Sequence, residues 1–534
     1  MNLATEPWIP VLQLNGKPDL ASLQDVFMKG REYADFAVRP HERIALMRLL
    51  ICIAQAVLDG PANIDEWDNA PQRLPDAAVR YLNDWEGSFN LFHPECPFLQ
   101  IAKLVKPQGG KQSKNKKDNS RNPVSKLDFA LASQNNSTLF DHGANSTSPR
   151  LFQPEWLALN LLTFQNFSSS GRIGIALWNG VESADEGASS ASPCLKSLML
   201  HTFVRRRSLL TTICANLLTK NQISKYLKPC EWGKPLWEEY PTSPNDQKAI
   251  ANATKTYLGR LLPLSRWIKI DPRGIEMILA NGFSFKSHPD FPAECSATEY
   301  VDKKTTARKL LSVSDKSIWR QLPAILVKYA NNRQGRSPLC LENQDGNESY
   351  DIWVGGLSWN SKGGYLDMAE SVLKIVPTLQ TDAGWAAYEK EVLYAEKRGG
   401  QLRSAVREYR KHIDGELGKV DQEQNKKRKK DLEKKLQAIA MSAASRSFWT
   451  AVEKQRYLLM DYVSAISTTA EAVEITKGRW RKAVNRAIRD SYDLACGKEN
   501  SRQMRAFAFG LAQLFKEFPP SDAIINSEPE NIEE

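Results

Sequence analysis

Apolar and polar positions along the first hundred residues alternate in short blocks. "WIPVLQLNGKPDLASLQDVF" (8–27) predicts a strand, a turn at Asn15–Gly16, and a helix capped near Asp19 or Ser22. Residues 42–58 carry apolar side chains on every face, which predicts a core helix rather than a surface one. "LNDWEGSFNLFHPECPFLQ" (82–100) is rich in aromatics and ends on a Pro-Phe anchor. Residues 127–375 are mixed. Helical stretches at 154–167 and 203–220 alternate with Ser-, Gly- and Pro-rich loops and with strand-like runs such as "YDIWVGG" (350–356).

From about residue 378 the pattern changes. Proline is absent until Pro519, glycine thins out, and a helical period dominates. Leu402, Val406, Tyr409 and Ile413 recur at spacings of four, three and four, one buried stripe, with Arg403, Arg407 and Arg410 running beside it. Trp480, Val484, Ile488 and Ser491 form a second such stripe, flanked by Arg479, Lys482, Arg486 and Arg489. Two helices, each with a dry stripe and a basic stripe, predict an antiparallel bundle with a cationic exterior. "NKKRKKDLEKK" (425–435) reads as a basic helical extension or linker between them, and "NSEPENIEE" (526–534) as an acidic disordered tail. The expected class is therefore α+β: a mixed domain over 1–375, a helical bundle over 376–520, and a tail over 521–534.

Composition narrows the partners. A chain of 534 residues exceeds one compact core, and a net charge of +10 with pI near 9.0 favours a polyanion. The longest apolar run, "IALMRLLICIAQAVL" (44–58), is broken by Arg48 and is shorter than the roughly 20 residues of a membrane span. The N-terminus lacks a signal-peptide pattern. Eight scattered cysteines without a CxxC suit a reducing cytosol, so a cytoplasmic location is expected. Within residues 106–126, seven Lys/Arg stand against Asp118 alone, with Val124 the one apolar side chain, which predicts a mobile basic loop.

Catalytic chemistry is hard to place. His93 and Cys96 have metal-like spacing but no second pair, and read as structural. His142 lies beside Asp141 in a turn, and Asp185–Glu186 fall in a loop with no apolar shielding to raise a pKa. No serine elbow, HExxH or clustered His–Asn–His set is present. No enzyme activity, metal or cofactor is expected. "GGLSWNSKGGYLD" (355–367) reads as a hairpin whose crest carries Asn360, Ser361 and Lys362. A Walker-type loop is excluded because Lys362 precedes the glycines; turn chemistry alone leaves solvated turn and nucleic-acid finger both open.

Order and spacing of several segments decide further. "MNLATEPWIPV…NG…SLQDVF", "LLICIAQAVL" and "FHPECPFLQ", followed by "SKLDFALASQNNSTLFDHG", "FQNFSSSGRIG", "HTFVRRRSLLTTICANLL", "WVGGLSWNSKGGYL" and "SRSFWTAVEKQRYLL", resemble the CasA family. That family supplies the large subunit of the type I-E CRISPR Cascade complex. The resemblance covers most of the chain. It implies a non-enzymatic protein with a mixed N-terminal domain and a C-terminal four-helix bundle. Such a subunit recognises the motif flanking the target (the PAM), opens the duplex, and recruits the helicase–nuclease.

It also implies roles for residues. The hairpin tip Asn360–Gly363 matches the minor-groove wedge; "SSSGRIG", chiefly Ser169, Ser170 and Gly171, matches a glycine-rich reading loop; Lys286 matches a lysine that joins them. Asn136, Leu139 and Phe140 match a loop that docks on the guide RNA 5′ end and adjoining subunits. Implied partners are guide RNA, target duplex, the other Cascade subunits and the effector helicase–nuclease. This chain departs from the family in three respects: its tip offers Ser361 and Lys362 where Asn/Gln is common, its glycine loop is mostly serine, and it lacks the cysteine knuckle some members carry. The competing classes are a metal-dependent nuclease with an unrecognised site and a generic RNA-binding scaffold. For the bundle, Arg403, Arg407, Arg410, Arg479, Lys482 and Arg486 are the expected DNA-backbone contacts.

Overall fold

The computed structural model describes residues 1–107, 121–131, 151–169, 173–183, 192–226, 230–285, 294–301, 308–314, 316–326, 335–359, 365–414 and 423–515. The chain divides into two compact units, one built from Met1–Lys328, Asn332–Asp345 and Tyr350–Lys374, the other chiefly from Ile375 onward. The first mixes helices with small sheets; the described elements of the second beyond Ile375 are helices. None of the described helices is long and apolar enough to cross a membrane.

In the first unit, β1 (Ile9–Gln13) pairs antiparallel with β2 (Pro18–Ala21) and with β3 (Tyr33–Phe36). Gly16 at the tip of the β1–β2 turn has φ +84°, a conformation other residues rarely adopt. Ser22 caps α1 (Leu23–Met28) through a reciprocal box with Asp25, so of the two expected caps Ser22 is used and Asp19 lies in a strand. Helix α2 (Pro40–Val57) starts with Pro at N1 and with Glu42 returning to the Arg39 amide at 2.8 Å. Every residue from His41 to Gln55 is buried, as the all-round apolar pattern requires. α2 packs against α3 (Pro154–Phe167), which is buried from Leu157 to its end.

Two expectations change here. Residues 121–126 do not belong to a solvated loop. β4 (Arg121–Pro123) adds to the edge of a sheet, Asn122, Val124 and Ser125 are buried, and Lys126 Nζ donates to Asn122 at 3.0 Å. Burial, reinforced by Arg266, lowers the pKa of Lys126. One apolar anchor and ladder hydrogen bonds were enough to seat a basic stretch; residues 108–120 of that loop lie outside the described residues. The helix expected over 203–220 is instead β5 (His201–Arg205) followed by a short helix, Leu209–Ala215, capped by Ser208. Cross-strand partners and β-branched or aromatic side chains at 202–204 outweigh helical periodicity there.

β6 (Arg266–Ile270) pairs antiparallel with β7 (Glu276–Asn281), with Arg266 opposite Asn281, and β7 pairs on its other edge with β4. The strand-like run at 350–356 forms part of β8 (Tyr350–Trp359). It pairs with β5 in the register Gly355↔His201 and Ile352↔Val204, and with its sequence neighbour β9 (Tyr365–Ile375) on the other side. Gly355 and Gly356 are not turn residues. A Cβ on Gly355 would strike the Trp353 ring, and one on Gly356 would come within 2.8 Å of the Met199 carbonyl, so both glycines permit close packing within the sheet.

The second unit contains α4 (Asp382–Asp414), α5 (Glu423–Lys454), α6 (Arg456–Ala465), α7 (Ala470–Ala495) and α8 (Ser501–Phe515). The basic segment 425–435 is part of α5. The predicted α7 stripe is buried throughout, at Trp480, Val484, Ile488 and Ser491; on α4 Leu402, Val406 and Tyr409 are buried while Ile413, near the helix end, is half-buried. Contacts between α4 and α7 advance together along both chains. Glu391 accepts from Arg481 at 2.7 Å, the Tyr394 hydroxyl donates to Asn485 at 2.9 Å, and the Tyr409 hydroxyl donates to the Gly497 carbonyl at 3.0 Å. Contacts between α4 and α8 run the opposite way. His412 stacks on Phe509 at 4.1 Å, and the Arg398 guanidinium lies 6.0 Å from the Phe515 ring. Thus α4 is parallel to α7 and antiparallel to α8.

Candidate nucleic-acid interface

The sequence-derived site residues fall mostly outside the described part of the chain. Ser170, Gly171, Lys286, Asn136, Leu139, Phe140 and the tip Asn360, Ser361, Lys362 and Gly363 are there, as are His142 and Asp185–Glu186. Ser169 is described, and so are the residues from which each of these segments departs. Those roots are tied together.

Ser169 follows the last turn of α3. Its carbonyl accepts from Nη2 of Arg266 at 2.6 Å, while Nη1 of the same guanidinium holds the Ser265 carbonyl at 2.6 Å. Gln165 of α3 completes the joint by exchanging hydrogen bonds with the backbone of Arg266, at 2.9 and 2.8 Å. One residue earlier, the Ser168 and Ser192 hydroxyls lie 2.6 Å apart. The serine-rich segment therefore leaves a fixed platform. Arg266 also stands opposite Asn281, so the strand that runs toward Lys286 starts from the same platform.

The segment carrying Lys286 is gripped at both ends by Arg260. The Arg260 guanidinium lies 5.5 Å from the Phe285 ring, and its Nη2 donates to Oε1 of Glu294 at 3.1 Å. The other carboxylate oxygen of Glu294 accepts from Nη1 of Arg48 at 2.6 Å. Nε of Arg48 donates to Oδ1 of Asn166 at 2.9 Å, and its Nη2 to the Arg260 carbonyl at 2.5 Å. All these groups are buried. Burial by itself raises the pKa of the Glu294 carboxyl, but Arg48 and Arg260 outweigh it and hold it down to about 2.

The hairpin joins through β5. Residues beyond Glu294 pair with this strand: the Thr202 amide donates to the Ser296 carbonyl at 2.8 Å, and Nδ1 of His201 lies 2.8 Å from Oγ of Ser296. On its other edge β5 carries β8, which ends at Trp359, immediately before Asn360. Burial first, then Arg48, lowers the pKa of His201 to about 4, so the ring is neutral in this joint. The fourth segment, toward Asn136, departs from Asp128, which Nη1 of Arg39 holds at 2.6 Å while Nη2 of Arg39 reaches Asn160 of α3 at 3.2 Å. Hydrogen bonds from α2, its cap Arg39 and α3 thus tie together the roots of the serine-rich, Lys286 and Asn136 segments, and the hairpin joins them through β5.

In the helical unit, Arg403, Arg407, Arg479, Lys482 and Arg486 are exposed and Arg410 is half-buried. On α7 the exposed Arg479, Lys482 and Arg486 recur at spacings of three and four and share one face, beside the one on which Arg481 and Asn485 meet α4. Arg489, expected on the same face, is half-buried and rests 5.6 Å from the Phe515 ring. His93 and Cys96 close a turn: Nδ1 of His93 accepts from the amides of Glu95 and Cys96 at 3.2 and 3.1 Å. Among the described residues no group of three or more His, Cys, Asp or Glu is placed to hold a metal ion.

Sequence reading missed Arg48, Glu294, Arg260, Asn166 and Arg266. One signal was present: Arg48 interrupts the longest apolar run, and a cation inside a core helix demands a buried partner.

Comparison with known proteins agrees with this architecture. The family model of CRISPR-associated protein Cse1 matches residues 2–491. The CRISPR-associated protein CasA/Cse1 of Thermus thermophilus is 28% identical over 437 residues, 78% of this chain and 79% of that protein. A crystal structure of Thermus thermophilus CasA is similar with a TM-score of 0.71, at 21% identity, over 97% of this chain and 98% of that one. A chain of a CRISPR RNA-guided surveillance complex is similar with a TM-score of 0.70, at 16% identity, over 96% and 99%. The chain described here belongs to the CRISPR-associated Cse1 (CasA) family, the large subunits of type I-E Cascade.

Proposed function

We propose that this protein is the non-catalytic large subunit of a cytoplasmic RNA-guided surveillance complex, in which it reads the PAM in double-stranded DNA and starts duplex opening. In this reading the mixed domain carries the PAM-reading and guide-docking segments. Helices α4, α5, α7 and α8 form an antiparallel four-helix bundle whose basic exterior follows the DNA backbone. Its partners are the guide RNA, the target duplex, the other Cascade subunits and the effector helicase–nuclease. One observation carries the proposal: the segments bearing Ser169–Gly171, Lys286 and Asn360–Gly363 depart from one buried, cross-braced frame, Arg266 with Arg48, Glu294 and Arg260.

The chemistry suits minor-groove reading. That groove offers base acceptors and one guanine amino donor, a permissive code that serine hydroxyls, backbone amides and a lysine can read. A polar tip can then occupy the space of an unstacked pair. Separating each pair costs about 1.4 kcal/mol of stacking, which guide pairing replaces. A rigid frame matters because a flexible reader would lose part of its binding energy to ordering.

The test compares complexes assembled with and without this chain on target duplexes that differ only in the flanking pairs. R-loop formation should require the chain and vary with the flank. Flank-independent R-loop formation would assign it to a general RNA scaffold, and Mg²⁺- or Mn²⁺-dependent cleavage of DNA by the chain alone would make it a nuclease.

A further inference from the structure

Helix α8 is apolar on more of its surface than its own unit covers. Its inner face packs on α4 through the buried Ala506, Gly510 and Leu514, and Phe507 meets the Tyr492 ring at 4.8 Å. The opposite face carries Met504, Ala508, Leu511, Ala512 and Phe515, which recur at spacings of three and four and include no polar side chain. Met504 is 60% exposed, Ala508 and Ala512 are exposed, and Leu511 and Phe515 are half-buried. A surface helix ordinarily turns polar residues to water, and one that is apolar on opposite faces is ordinarily covered on both. The only charged side chains of α8, Arg502 and Arg505, are both exposed and stand on one flank of this apolar face.

The chemistry of the face selects its occupant. It lacks the donors that phosphates and base edges require, which disfavours a nucleic acid. Its cationic flank favours carboxylates opposite. Its size matters too: at 1.5 Å per residue the face is about 17 Å long and about 10 Å wide, on the order of 200 Å², against the roughly 800 Å² per partner of a stable interface. Alone it would not hold a second copy of the chain; it suits a neighbour already held by other contacts. We propose that this face of α8 docks another protein subunit of the surveillance complex, one that presents an apolar helix face edged with carboxylates toward Arg502 and Arg505. The proposal rests on the place of this chain in an assembled complex.

Two full-length variants test it. Met504→Gln with Ala508→Gln makes the face polar without adding charge, and glutamine is a good helix former at exposed positions. Arg505→Glu reverses the flank. For each, Kd is measured for joining the guide-loaded remainder of the complex, without target DNA, at two salt concentrations. The glutamine pair should weaken joining by about tenfold, the scale of one large apolar side chain left unburied. Arg505→Glu should weaken it as well and abolish the loss of affinity that the wild-type chain shows as salt rises. Joining unchanged by the glutamine pair overturns the proposal, and so does a loss confined to Arg505→Glu, which marks a phosphate contact. A glutamine pair that dissolves a dimer of the isolated chain, or speeds proteolysis within residues 516–534, gives the face to a second copy or to the chain's own C-terminal segment and also overturns it. A wild-type chain that does not join the remainder overturns its place in the complex, and the docking role with it.

Discussion

Replacing Glu294 by Gln tests whether the buried cluster stabilises the frame as its geometry implies. The carboxylate is 5% exposed and accepts from Arg48 at 2.6 Å and Arg260 at 3.1 Å, themselves nearly fully buried. Glutamine keeps the shape but offers only one acceptor, so one guanidinium faces an amide N–H₂ and two buried cations lose their counter-charge. Removing one partner of a buried pair costs about 3–5 kcal/mol. Linkage gives a consistent figure: a carboxyl lowered from 4.5 to about 2 contributes about 3 kcal/mol at neutral pH. Because the native pKa lies below the unfolded one, the contribution is whole above about pH 4.5 and is lost as pH falls toward 2. Native-state hydrogen exchange of the α3 amides reads this opening free energy directly. The variant should lower it by about 3 kcal/mol at pH 7, with the gap to wild type shrinking below pH 4.5. A gap under about 1 kcal/mol at pH 7, or one independent of pH between 6 and 3, would refute the reasoning.

For the bundle, neutralising Arg403 with Arg407, or Arg479 with Arg486, should weaken DNA binding similarly for all flanks. The magnitude of the salt slope should fall by up to ~0.9 per duplex contact or ~0.7 per single-strand contact; an unchanged slope assigns these side chains to solvent or a protein neighbour. Within the helical unit, Gly510→Ala should destabilise. A methyl there would overlap the Tyr492 hydroxyl, which donates to the Phe507 carbonyl, and would lie 2.8 Å from the Ala405 carbonyl. Overpacking of about 1–3 kcal/mol exceeds the propensity gain of about 1 kcal/mol, and hydrogen exchange in α8 that is unchanged or slower would contradict this packing.

What could be read from one sequence was local. The strongly apolar pattern of 42–58, the Ser22 cap and the dry stripes depend on neighbours within a few residues, and all are present save Ile413, which is half-buried. Strand residues 203–205 were misread as the start of a helix because their partner, β8, lies some 150 positions away in the chain. The seating of 121–126 likewise depends on β7. Arg48 shows the limit most clearly. Its charge in an apolar run was visible, but its carboxylate partner is 246 residues distant, and no periodicity points to it. The tip residues rest on resemblance alone and lie outside the described residues, whereas the frame behind them is a product of long-range pairing.

The wedge is the claim on which the account turns, and Lys362→Ala in the assembled, guide-loaded complex tests it most directly. R-loop formation is measured on an intact target and on one pre-melted beside the PAM. Pre-melting removes the unstacking cost, about 1.4 kcal/mol per step, that a wedge helps offset. The account therefore predicts a large loss on the intact duplex and near wild-type behaviour on the pre-melted one. Equal losses on both would make Lys362 a phosphate anchor, and no loss on either would make it an ordinary turn residue; both results contradict the account.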